Sequence, residues 1–475
     1  MTSTTRTRFA PSPTGFLHVG GVRTALFAWL LARQNDGQFI LRLEDTDKNR
    51  EVEGSADHLM LCLKTLGIDY DEGPDKPGDH GPYIQSQRLD IYKEWAQKLI
   101  DSGRAYADPY SREELDDFRA QAKQAKRAFL YRHHRPANPP AWDGTTPLRF
   151  KSDPKDYSWH DEVMGDLQTG PEVIDDFILI KSDGYPTYNF AHIVDDAEMK
   201  ISHVIRGQEF ISSQPNYLNL YEALGVKPPV FATMPHIMAE TGGKKLGKRD
   251  GAKDVLDYVR DGFLPETLVN FIASLGWNDG TEQEVFTVKE LISKFRLDHV
   301  QRSGARFDNK RLEWMNGQHI RELSLDDLYQ RVADFWPASA DDNDVYKKNV
   351  LELMQARLKT LKDLQSAGYF FVDPEPDWSL ADSSKPLRKL DNETRRNLLA
   401  EVRDALDACS LEPDSIQQCL NDLLVKTDSK PAQLFGLIRL SLTWSPFSPD
   451  LNLTIALLGK NAVMKRLQTA IDSIE

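Results

Sequence analysis

Phosphate binding is the chemistry that this sequence indicates first, in the segment RTRFAPSPTGFLHVGG at residues 6–21. Its pattern predicts the end of a strand, a loop broken by prolines and glycine, and a helix that opens at Gly20 and Gly21. The first turn of such a helix offers N–H groups and a partial positive charge to a phosphate. Glycine there lets a phosphate or a flat base approach the backbone, and His18 adds a donor beside it. A lone His before glycines is as typical of a surface turn, so a second element has to support the prediction.

A lysine-rich segment, TGGKKLGKRDGA at residues 241–252, provides that second element. Lysines in a Gly-rich loop can cover a triphosphate and neutralise the charge that develops as pyrophosphate leaves. Lys245 and Lys248 are the candidates for this role. Taken alone, the segment is more typical of a solvated basic turn. Together with the first segment, it favours a nucleotide site.

Two arginines at predicted strand ends indicate a pocket for a carboxylate. Arg8 ends the first strand, and Arg206 ends a later strand in the run HVIRG. A planar, always-charged guanidinium is the side chain best suited to hold a carboxylate, and Tyr188 could add a hydroxyl. Glu44 follows a predicted buried strand at residues 38–43, at the sheet edge where α/β proteins bind ligands. Either arginine taken singly is more typical of a structural ion pair, whereas the set favours a binding site.

Length and charge set limits on the class of protein. A chain of 475 residues is too long for one compact core, so we expect three or four domains. The net charge of −14 argues against a protein that coats nucleic acid without specificity, but not against local basic patches for RNA. Three scattered cysteines suit a reducing compartment, and the longest apolar run near the N-terminus, residues 26–32, is too short to span a membrane. These features predict a soluble, cytoplasmic protein.

The two segments resemble signatures of one enzyme family. Residues 6–21 are similar to the HIGH signature of the class I aminoacyl-tRNA synthetases, in the Ala-Pro-Ser-Pro-Thr-Gly form of the glutamyl and glutaminyl branch. Residues 245–249 resemble the KMSKS loop of that family, with Gly247 where serine is usual, which should loosen the loop. The resemblance, to bacterial-type glutamyl-tRNA synthetases, extends over nearly the whole chain.

The resemblance implies a doubly wound, Rossmann-like α/β catalytic domain with an α+β insertion, followed by an all-α C-terminal half. The expected divisions are 1–85 for the first half of the catalytic fold, 86–190 for the insertion that holds the tRNA acceptor stem, 191–253 for the second half with the KMSKS-like loop, 254–320 for a helical stem-contact region, and 321–475 for a helical anticodon-binding region. A Pro/Ser-rich stretch at residues 373–385 is the best linker within the last of these. Local patterns add a polar helix at 111–128, a turn at Asp183 and Gly184 between strands of the resumed main sheet, and a helix at 351–364.

The resemblance also implies roles for individual residues. The matching catalytic positions are His18, Gly20, Lys245 and Lys248. The matching ATP-binding positions are His18, Gly20, Gly21 and Lys248, with Mg²⁺ arriving on the ATP. The matching glutamate-binding positions are Arg8, Ala10, Ser12, Glu44, Tyr188 and Arg206, with Glu44 pairing with the α-ammonium group. His192 and Phe210 stand where the family often has Asn and Trp, which predicts altered packing rather than an altered substrate.

The chemistry implied is aminoacylation of tRNA. The α-carboxylate of L-glutamate attacks the α-phosphate of ATP, pyrophosphate leaves, and the 3′-terminal ribose of tRNA(Glu) then takes the glutamyl group. The protein's part is to position the reactants and neutralise charge. Two guanidiniums with no compensating carboxylate predict a preference for glutamate over glutamine of about a hundred-fold or more, without an editing domain. In the second half, Arg357 matches a position associated with discriminating tRNA(Glu) from tRNA(Gln), although a solvated helix face is as typical.

Zinc is not expected. Some bacterial relatives carry a Cys-rich zinc site in the insertion, but residues 104–136 contain no cysteine. His133 and His134 are adjacent, and neighbouring histidines project in different directions, which makes them a poor pair of tetrahedral ligands. We therefore predict surface histidines and no metal held by protein side chains.

Three other functions remain open from the sequence. The first is a glutamyl enzyme that charges tRNA(Gln), or both tRNAs. The second is a truncated relative that glutamylates a modified tRNA base, which the large C-terminal half argues against. The third is a non-catalytic tRNA-binding paralogue, which the presence of His18, Gly20, Lys248 and Arg206 argues against. The partners expected are tRNA(Glu), L-glutamate and ATP, with the chain acting as a monomer and without a membrane.

Overall fold

The structure is a computed structural model that describes residues 4–241, 243–247, 253–340, 342–445 and 447–474. It divides into two units, one of Met1–Tyr258 with Pro265–Leu312 and one of Val259–Leu264 with Glu313–Glu475. The strands are β1 (Arg6–Phe9), β2 (Gln38–Leu41), β3 (Ala105–Ala107), β4 (Leu148–Phe150), β5 (Tyr157–Asp161), β6 (Gly165–Thr169), β7 (Ile178–Ile180), β8 (His203–Gly207), β9 (Val230–Met234), β10 (Ile237–Met238) and β11 (Ala305–Arg306).

The helices alternate with these strands in the first unit and make up most of the second. They are α1 (Val19–Gln34), α2 (Ser55–Thr65), α3 (Leu89–Asp101), α4 (Arg112–Gln124), α5 (Tyr188–Glu198), α6 (Gln214–Leu224), α7 (Val255–Arg260), α8 (Pro265–Ala273), α9 (Val288–Lys294), α10 (Asn309–Glu322), α11 (Leu325–Arg331), α12 (Asp344–Gln355), α13 (Ser379–Ser383), α14 (Asn392–Ala408), α15 (Pro413–Thr427), α16 (Pro431–Thr443) and α17 (Leu451–Asp472). Of the helices in the described part of the chain, none is both long and apolar enough to cross a membrane.

The main sheet of the first unit has the strand order β2-β1-β8-β9-β5-β6. Its pairs are parallel except for the β5–β6 hairpin, and β1 and β2 are joined through α1. The predicted apolar face of α1 is buried, at Val22, Ala25, Leu26, Trp29 and Leu30. From β1 the chain continues to β2, its neighbour towards one edge of the sheet, whereas from β8 it continues to β9, its neighbour towards the other edge. The carboxyl ends of β1 and β8 therefore flank a topological switch point, where open α/β sheets bind ligands.

The segment before β8 differs from its prediction. The main sheet was expected to resume with strands on both sides of Asp183 and Gly184, but β7 pairs with β4 in a separate sheet of order β3-β4-β7. After the turn the chain enters α5, because its apolar residues recur at helical spacing and are buried. The hairpin of β5 and β6 was not foreseen on the main sheet, yet β5 pairs there with β9. The polar helix expected at residues 111–128 is shorter, and a Ser111–Glu114 capping box starts it.

The second unit is helical, which with the sheet of the first unit confirms the predicted fold class. One apolar cluster gathers around Leu328, Val350 and Leu364, and another around Leu399, Leu437 and Leu467. The expected linker at residues 373–385 contains α13, whose Ala381 is buried in the second cluster. The prediction of one helix over residues 351–364 is wrong. Helix α12 ends at Gln355, and a Thr360–Asp363 capping box starts a separate 3-10 helix over Leu361–Phe370. The domain divisions drawn from the resemblance stay predictions.

Candidate active site

His18 closes the first turn of α1. Its ring Nδ1 accepts a hydrogen bond from the backbone N–H of Gly20 at 3.2 Å, and its carbonyl accepts from the N–H of Gly21 at 2.9 Å. These two N–H groups, expected to be open to a phosphate, are therefore already engaged. Because Nδ1 acts as an acceptor, the neutral His18 ring carries its proton on Nε2. His18 thus caps the helix with one nitrogen and holds a donor hydrogen on the other.

The two glycines after His18 fit because the space around them is taken. A Cβ at Gly20 would lie 3.2 Å from Cε1 of the capping His18 ring. A Cβ at Gly21 would lie 2.7 Å from Cδ1 of Leu17, closer than real Cβ contacts come. Glycine at both positions therefore allows the loop to fold back onto the start of α1.

The described part of the lysine-rich segment returns along β10. The N–H of Ala239 donates to the carbonyl of Lys244 at 3.0 Å, and the N–H of Leu246 donates to that of Ile237 at 2.8 Å, so Lys245 lies on the returning arm of this turn. Lys248, the predicted catalytic lysine, lies outside the described residues. Further along, Asp254 forms a β-bridge with His18. The chain just after the second motif segment therefore lies against the first segment, although the two are far apart in sequence.

A buried charge cluster fills the space beneath the carboxyl ends of β1 and β2. Arg42 contacts Glu44 at 3.0 Å, Asp196 at 2.8 Å and Asp195 at 3.6 Å. Arg8 adds an ion pair to Asp196 at 3.1 Å. Arg88 adds one to Asp195 at 2.7 Å. When all six groups are ionised, this cluster carries no net charge.

Within the cluster, the pKa of Asp196 is lowered and the pKa of Glu44 is raised. Burial alone would raise the pKa of Asp196, but Arg8 and Arg42 outweigh it and hold that pKa at about 2. Burial raises the pKa of Glu44 to about 7, against the opposing charges of Arg42 and Arg8. Asp196 is therefore ionised at neutral pH, whereas Glu44 is half protonated.

The expectation that no carboxylate compensates the two predicted guanidiniums is wrong for Arg8. Its Nε donates to Oδ1 of Asp196, and its Nη1 donates to the carbonyl of Ile205 at 3.3 Å. Glu44, predicted to pair with an ammonium group, already accepts a hydrogen bond from Nη2 of Arg42. Sequence reasoning missed Arg42, Arg88, Asp195 and Asp196. The signal for Arg42, Asp195 and Asp196 was charge inside the apolar runs FILRLED and FAHIVDD, whereas Arg88 lies in neither run.

Arg206 has a different environment from Arg8. Arg206 is 6 % exposed as a residue, and within the described residues it forms no ion pair with a carboxylate. Its guanidinium carbon lies 5.0–5.6 Å from the ring centroids of Phe210, Tyr217 and Phe231, and its Nη2 donates to Oε1 of Gln214. Aromatic faces stabilise the cation but do not neutralise it. Arg206 can therefore still attract an anion.

Tyr188 and His192 line the same space on α5. Burial, with the nearby charge of Glu44, raises the pKa of Tyr188, and Arg206 opposes that effect. The Nδ1–H of His192 donates to the carbonyl of Tyr188 at 2.7 Å, and the two rings stack. Burial first, and then the charge of Arg206, lower the pKa of His192 to about 3, so this ring is neutral. The ring of Phe210 also stacks on that of Tyr188, with 5.2 Å between the two centroids.

The loop that carries Ala10 and Ser12 is fixed beside Glu44. The N–H of Arg42 donates to the carbonyl of Phe9, and the N–H of Glu44 donates to that of Pro11, both at 3.0 Å. The structure therefore brings together four of the predicted glutamate-binding positions, Arg8, Glu44, Tyr188 and Arg206, while Ala10 and Ser12 flank the Pro11 carbonyl that binds the N–H of Glu44. A charged pocket of this kind can hold a small zwitterion with an extra carboxylate.

Two further predicted features lie elsewhere. Arg357 follows the end of α12, pairs with Asp450 at 3.0 Å, and lines a cavity of about 700 Å³ in the second unit. It is therefore not on a helix face as expected. In the insertion, the ring of His134 stacks on Phe118 at 4.2 Å between centroids, while His133 is exposed. Whether the insertion holds zinc stays a prediction.

Comparison with known families and proteins gives consistent matches over the whole chain. The family of class I tRNA synthetases (E and Q) matches with its catalytic domain at residues 4–314. An anticodon-binding domain matches at residues 327–471. Curated relatives include a glutamate–tRNA ligase of Clostridium botulinum, 39 % identical over 100 % of this chain and 99 % of its own length. Another, from Dehalococcoides mccartyi, is 39 % identical over 99 % of this chain and 98 % of its own.

Solved structures agree with the sequence relatives. A crystal structure of a glutamate tRNA ligase from Elizabethkingia meningosepticum, in complex with its amino acid, superposes with a TM-score of 0.88 at 32 % identity, covering 100 % of both chains. A glutamate–tRNA synthetase from Elizabethkingia anophelis superposes with a TM-score of 0.86 at 31 % identity, covering 99 % of this chain and 100 % of the other.

Proposed function

Because this chain belongs to the class I tRNA synthetases (E and Q), we propose that it is an enzyme that activates L-glutamate with ATP and transfers the glutamyl group to tRNA(Glu). The observation that supports this proposal best is Arg206. It is a buried guanidinium without a carboxylate partner among the described residues, at the topological switch point of the sheet. An anion is what such a group attracts.

In the glutamate pocket, each charged part of the substrate has a proposed partner. Arg206 takes the side-chain carboxylate, and Tyr188 donates its hydroxyl to the substrate. Ionised Glu44 pairs with the α-ammonium group, while Ala10 and Ser12 lie along the substrate backbone. Arg8 acts through its long-range charge, because its guanidinium is held by Asp196.

In the ATP site, the proposed groups are those of the two motif segments. ATP lies against Gly20 and Gly21, its phosphates face His18, Lys245 and Lys248, and Mg²⁺ arrives bound to the nucleotide. An α-carboxylate oxygen of glutamate attacks the α-phosphorus, and the bond to the pyrophosphate oxygen breaks. The ribose hydroxyl of the tRNA terminus then attacks the glutamyl carbonyl, and AMP leaves. Donor hydrogens and ammonium charges stabilise the negative charge that develops.

The remaining expectations belong to this proposal. Residues 86–190 hold the acceptor stem, residues 191–253 complete the catalytic fold, 254–320 contact the stem, and 321–475 bind the anticodon, with Arg357 contacting its bases. The enzyme acts as a monomer in the cytoplasm. Enzymes of this branch typically activate glutamate only with tRNA bound, and we expect the same here.

ATP–pyrophosphate exchange, measured with and without tRNA and followed by identification of the acylated tRNAs, tests the proposal. We expect tRNA-dependent exchange with glutamate, and acylation of tRNA(Glu). Arg206→Gln should raise the KM for glutamate by about a hundred-fold, because an anion loses its partner. Lys248→Ala should slow activation with little change in KM. Exchange-inactive wild-type protein that still binds tRNA would identify a non-catalytic paralogue, and charging of tRNA(Gln) would show relaxed or altered specificity.

A further inference from the structure

Three potential metal ligands meet at a place that the proposed chemistry does not use. His58 and Cys62 lie four residues apart on α2, so their side chains share one face of that helix. Asp254 reaches the same face from the residue before α7. One ligand atom from each of the three lies within 4.8 Å of the others, and no other such group of three occurs among the described residues.

Some atoms of these side chains face one another, and another atom holds the Asp254 carboxylate in place. Nε2 of His58 lies 2.8 Å from Oδ2 of Asp254 and 3.9 Å from Sγ of Cys62. The other oxygen of Asp254, Oδ1, accepts the backbone N–H of Leu256 at 2.8 Å and so fixes the carboxylate. One nitrogen and one sulfur from α2 therefore converge with one oxygen from the residue before α7.

From this geometry we propose that His58, Cys62 and Asp254 bind a divalent zinc ion. A tetrahedral ion with the usual Zn–N, Zn–O and Zn–S bond lengths holds its ligand atoms about 3.3–3.7 Å apart. To reach that spacing, the N–O contact of 2.8 Å lengthens by about half an ångström, the N–S contact of 3.9 Å shortens by a few tenths, and the S–O separation, at most 4.8 Å, shortens by up to about 1 Å. A nitrogen, a carboxylate oxygen and a thiolate form a ligand set that suits zinc, and a water molecule takes the fourth position.

Burial supports a metal site over a chance surface cluster. The side chains of His58 and Asp254 are 19 % and 13 % exposed, and Cys62 is buried. On binding, Cys62 loses its thiol proton to solvent and the proton on Nε2 of His58 passes to Nδ1. The thiolate, imidazole and carboxylate then share the charge of the ion. Phe16, whose ring lies 4.6 Å from that of His58, covers one side.

The ion would join two parts of the first unit. It would fix the start of α7, directly after the lysine-rich segment, against α2. The bridge of Asp254 to His18 places this attachment beside the proposed ATP site. The site lies outside residues 104–136, where the sequence predicts no zinc. A metal at His58, Cys62 and Asp254 would contradict the broader expectation that no protein side chain holds one.

Cobalt substitution tests the site directly, because a Co²⁺–thiolate bond absorbs in the near ultraviolet and zinc does not. The full-length protein is treated with a chelator, titrated with Co²⁺, and then with Zn²⁺. We expect a charge-transfer band that saturates at a single ion per chain and disappears when Zn²⁺ is added. Zinc should also raise the thermal unfolding midpoint.

Matched variants assign the ligands. Cys62→Ser should abolish the cobalt band and the zinc-dependent rise in unfolding temperature, whereas Cys419→Ser, at a cysteine far along the chain, should leave both unchanged. Asp254→Asn preserves an oxygen that can accept the N–H of Leu256 but removes the anionic ligand, and should weaken zinc binding by more than about ten-fold. Wild-type protein without a band, or Cys62→Ser protein with the same cobalt and zinc uptake, overturns the proposal.

Discussion

Glu44 should make glutamate binding depend on pH near neutrality. Burial raises its pKa to about 7, with Arg42 and Arg8 opposing the shift and Asp195 adding to it. About nine-tenths of the Glu44 population is then ionised at pH 8 and about one-tenth at pH 6. Because only the ionised carboxylate can pair with the α-ammonium group of the substrate, we expect the KM for glutamate to rise about ten-fold between pH 8 and pH 6.

Initial rates of tRNA-dependent ATP–pyrophosphate exchange, measured against glutamate concentration across this pH range, give the KM. Glu44→Gln is the control, because an amide oxygen can still accept the hydrogen bond from Arg42 but the side chain cannot ionise. Its KM should be raised at pH 8 and should change little on going to pH 6. A wild-type KM that is constant over this range, or that rises as steeply in Glu44→Gln, would refute the reasoning.

The same group affects folding with a definite sign. Since the pKa of Glu44 is raised above its ordinary 4.5, the folded protein keeps a proton that the unfolded chain releases between pH 4.5 and about 7. The contribution of Glu44 to the free energy of unfolding therefore falls by up to about 3 kcal/mol as the pH rises through this window, and is constant above it. Urea unfolding of wild type and Glu44→Gln at pH 5 and pH 7 should show a smaller fall in the variant.

The other predictions concern single contacts. Asp196→Asn removes the negative charge that Arg8 and Arg42 share, so both arginines stay buried without it. The free energy of unfolding in urea should fall by about 3–5 kcal/mol. Gly21→Ala should change it by less than about 1 kcal/mol, because the new Cβ meets at 2.7 Å only the terminal methyl of Leu17, which can move, and alanine favours the helix. Lys245→Ala should reduce kcat for pyrophosphate exchange while the KM for glutamate stays within about two-fold, because the lysine acts on the leaving group. Arg357→Gln should reduce the ratio of tRNA(Glu) to tRNA(Gln) charging, measured with both purified tRNAs, and Lys359→Gln is its control.

Local features of the fold could be predicted from the sequence because their causes are local. The helix after His18 is specified by the glycines and by apolar residues at helical spacing, and α1 begins within one residue of the position expected. The same kind of signal was available for the end of α12. Thr360 and Asp363 have the spacing of a capping box, which predicts a new helical start and so a break before it.

The charge cluster could not be predicted in that way. Arg42 follows β2, near the N-terminus. Its partner Asp196 lies at the end of α5, 154 residues later in the sequence. Only the parallel pairing of β1 with β8 brings these regions together, and no local pattern specifies that pairing. Sequence reasoning therefore named several residues that the structure places near one another, but not the buried carboxylate that pairs with Arg8.

The cluster changes the explanation for choosing glutamate over glutamine. Four guanidiniums, of Arg8, Arg42, Arg88 and Arg206, face three carboxylates, of Glu44, Asp195 and Asp196, and His192 is neutral. With every carboxyl group ionised, one positive charge remains, and it is on Arg206. Bound glutamate carries one net negative charge and balances it, whereas glutamine carries none and leaves a buried cation unpaired. Selectivity then depends on the whole balance, so that Asp196→Asn, which adds a second uncompensated positive charge, should strengthen the preference for glutamate over glutamine even though Asp196 is not proposed to contact the substrate.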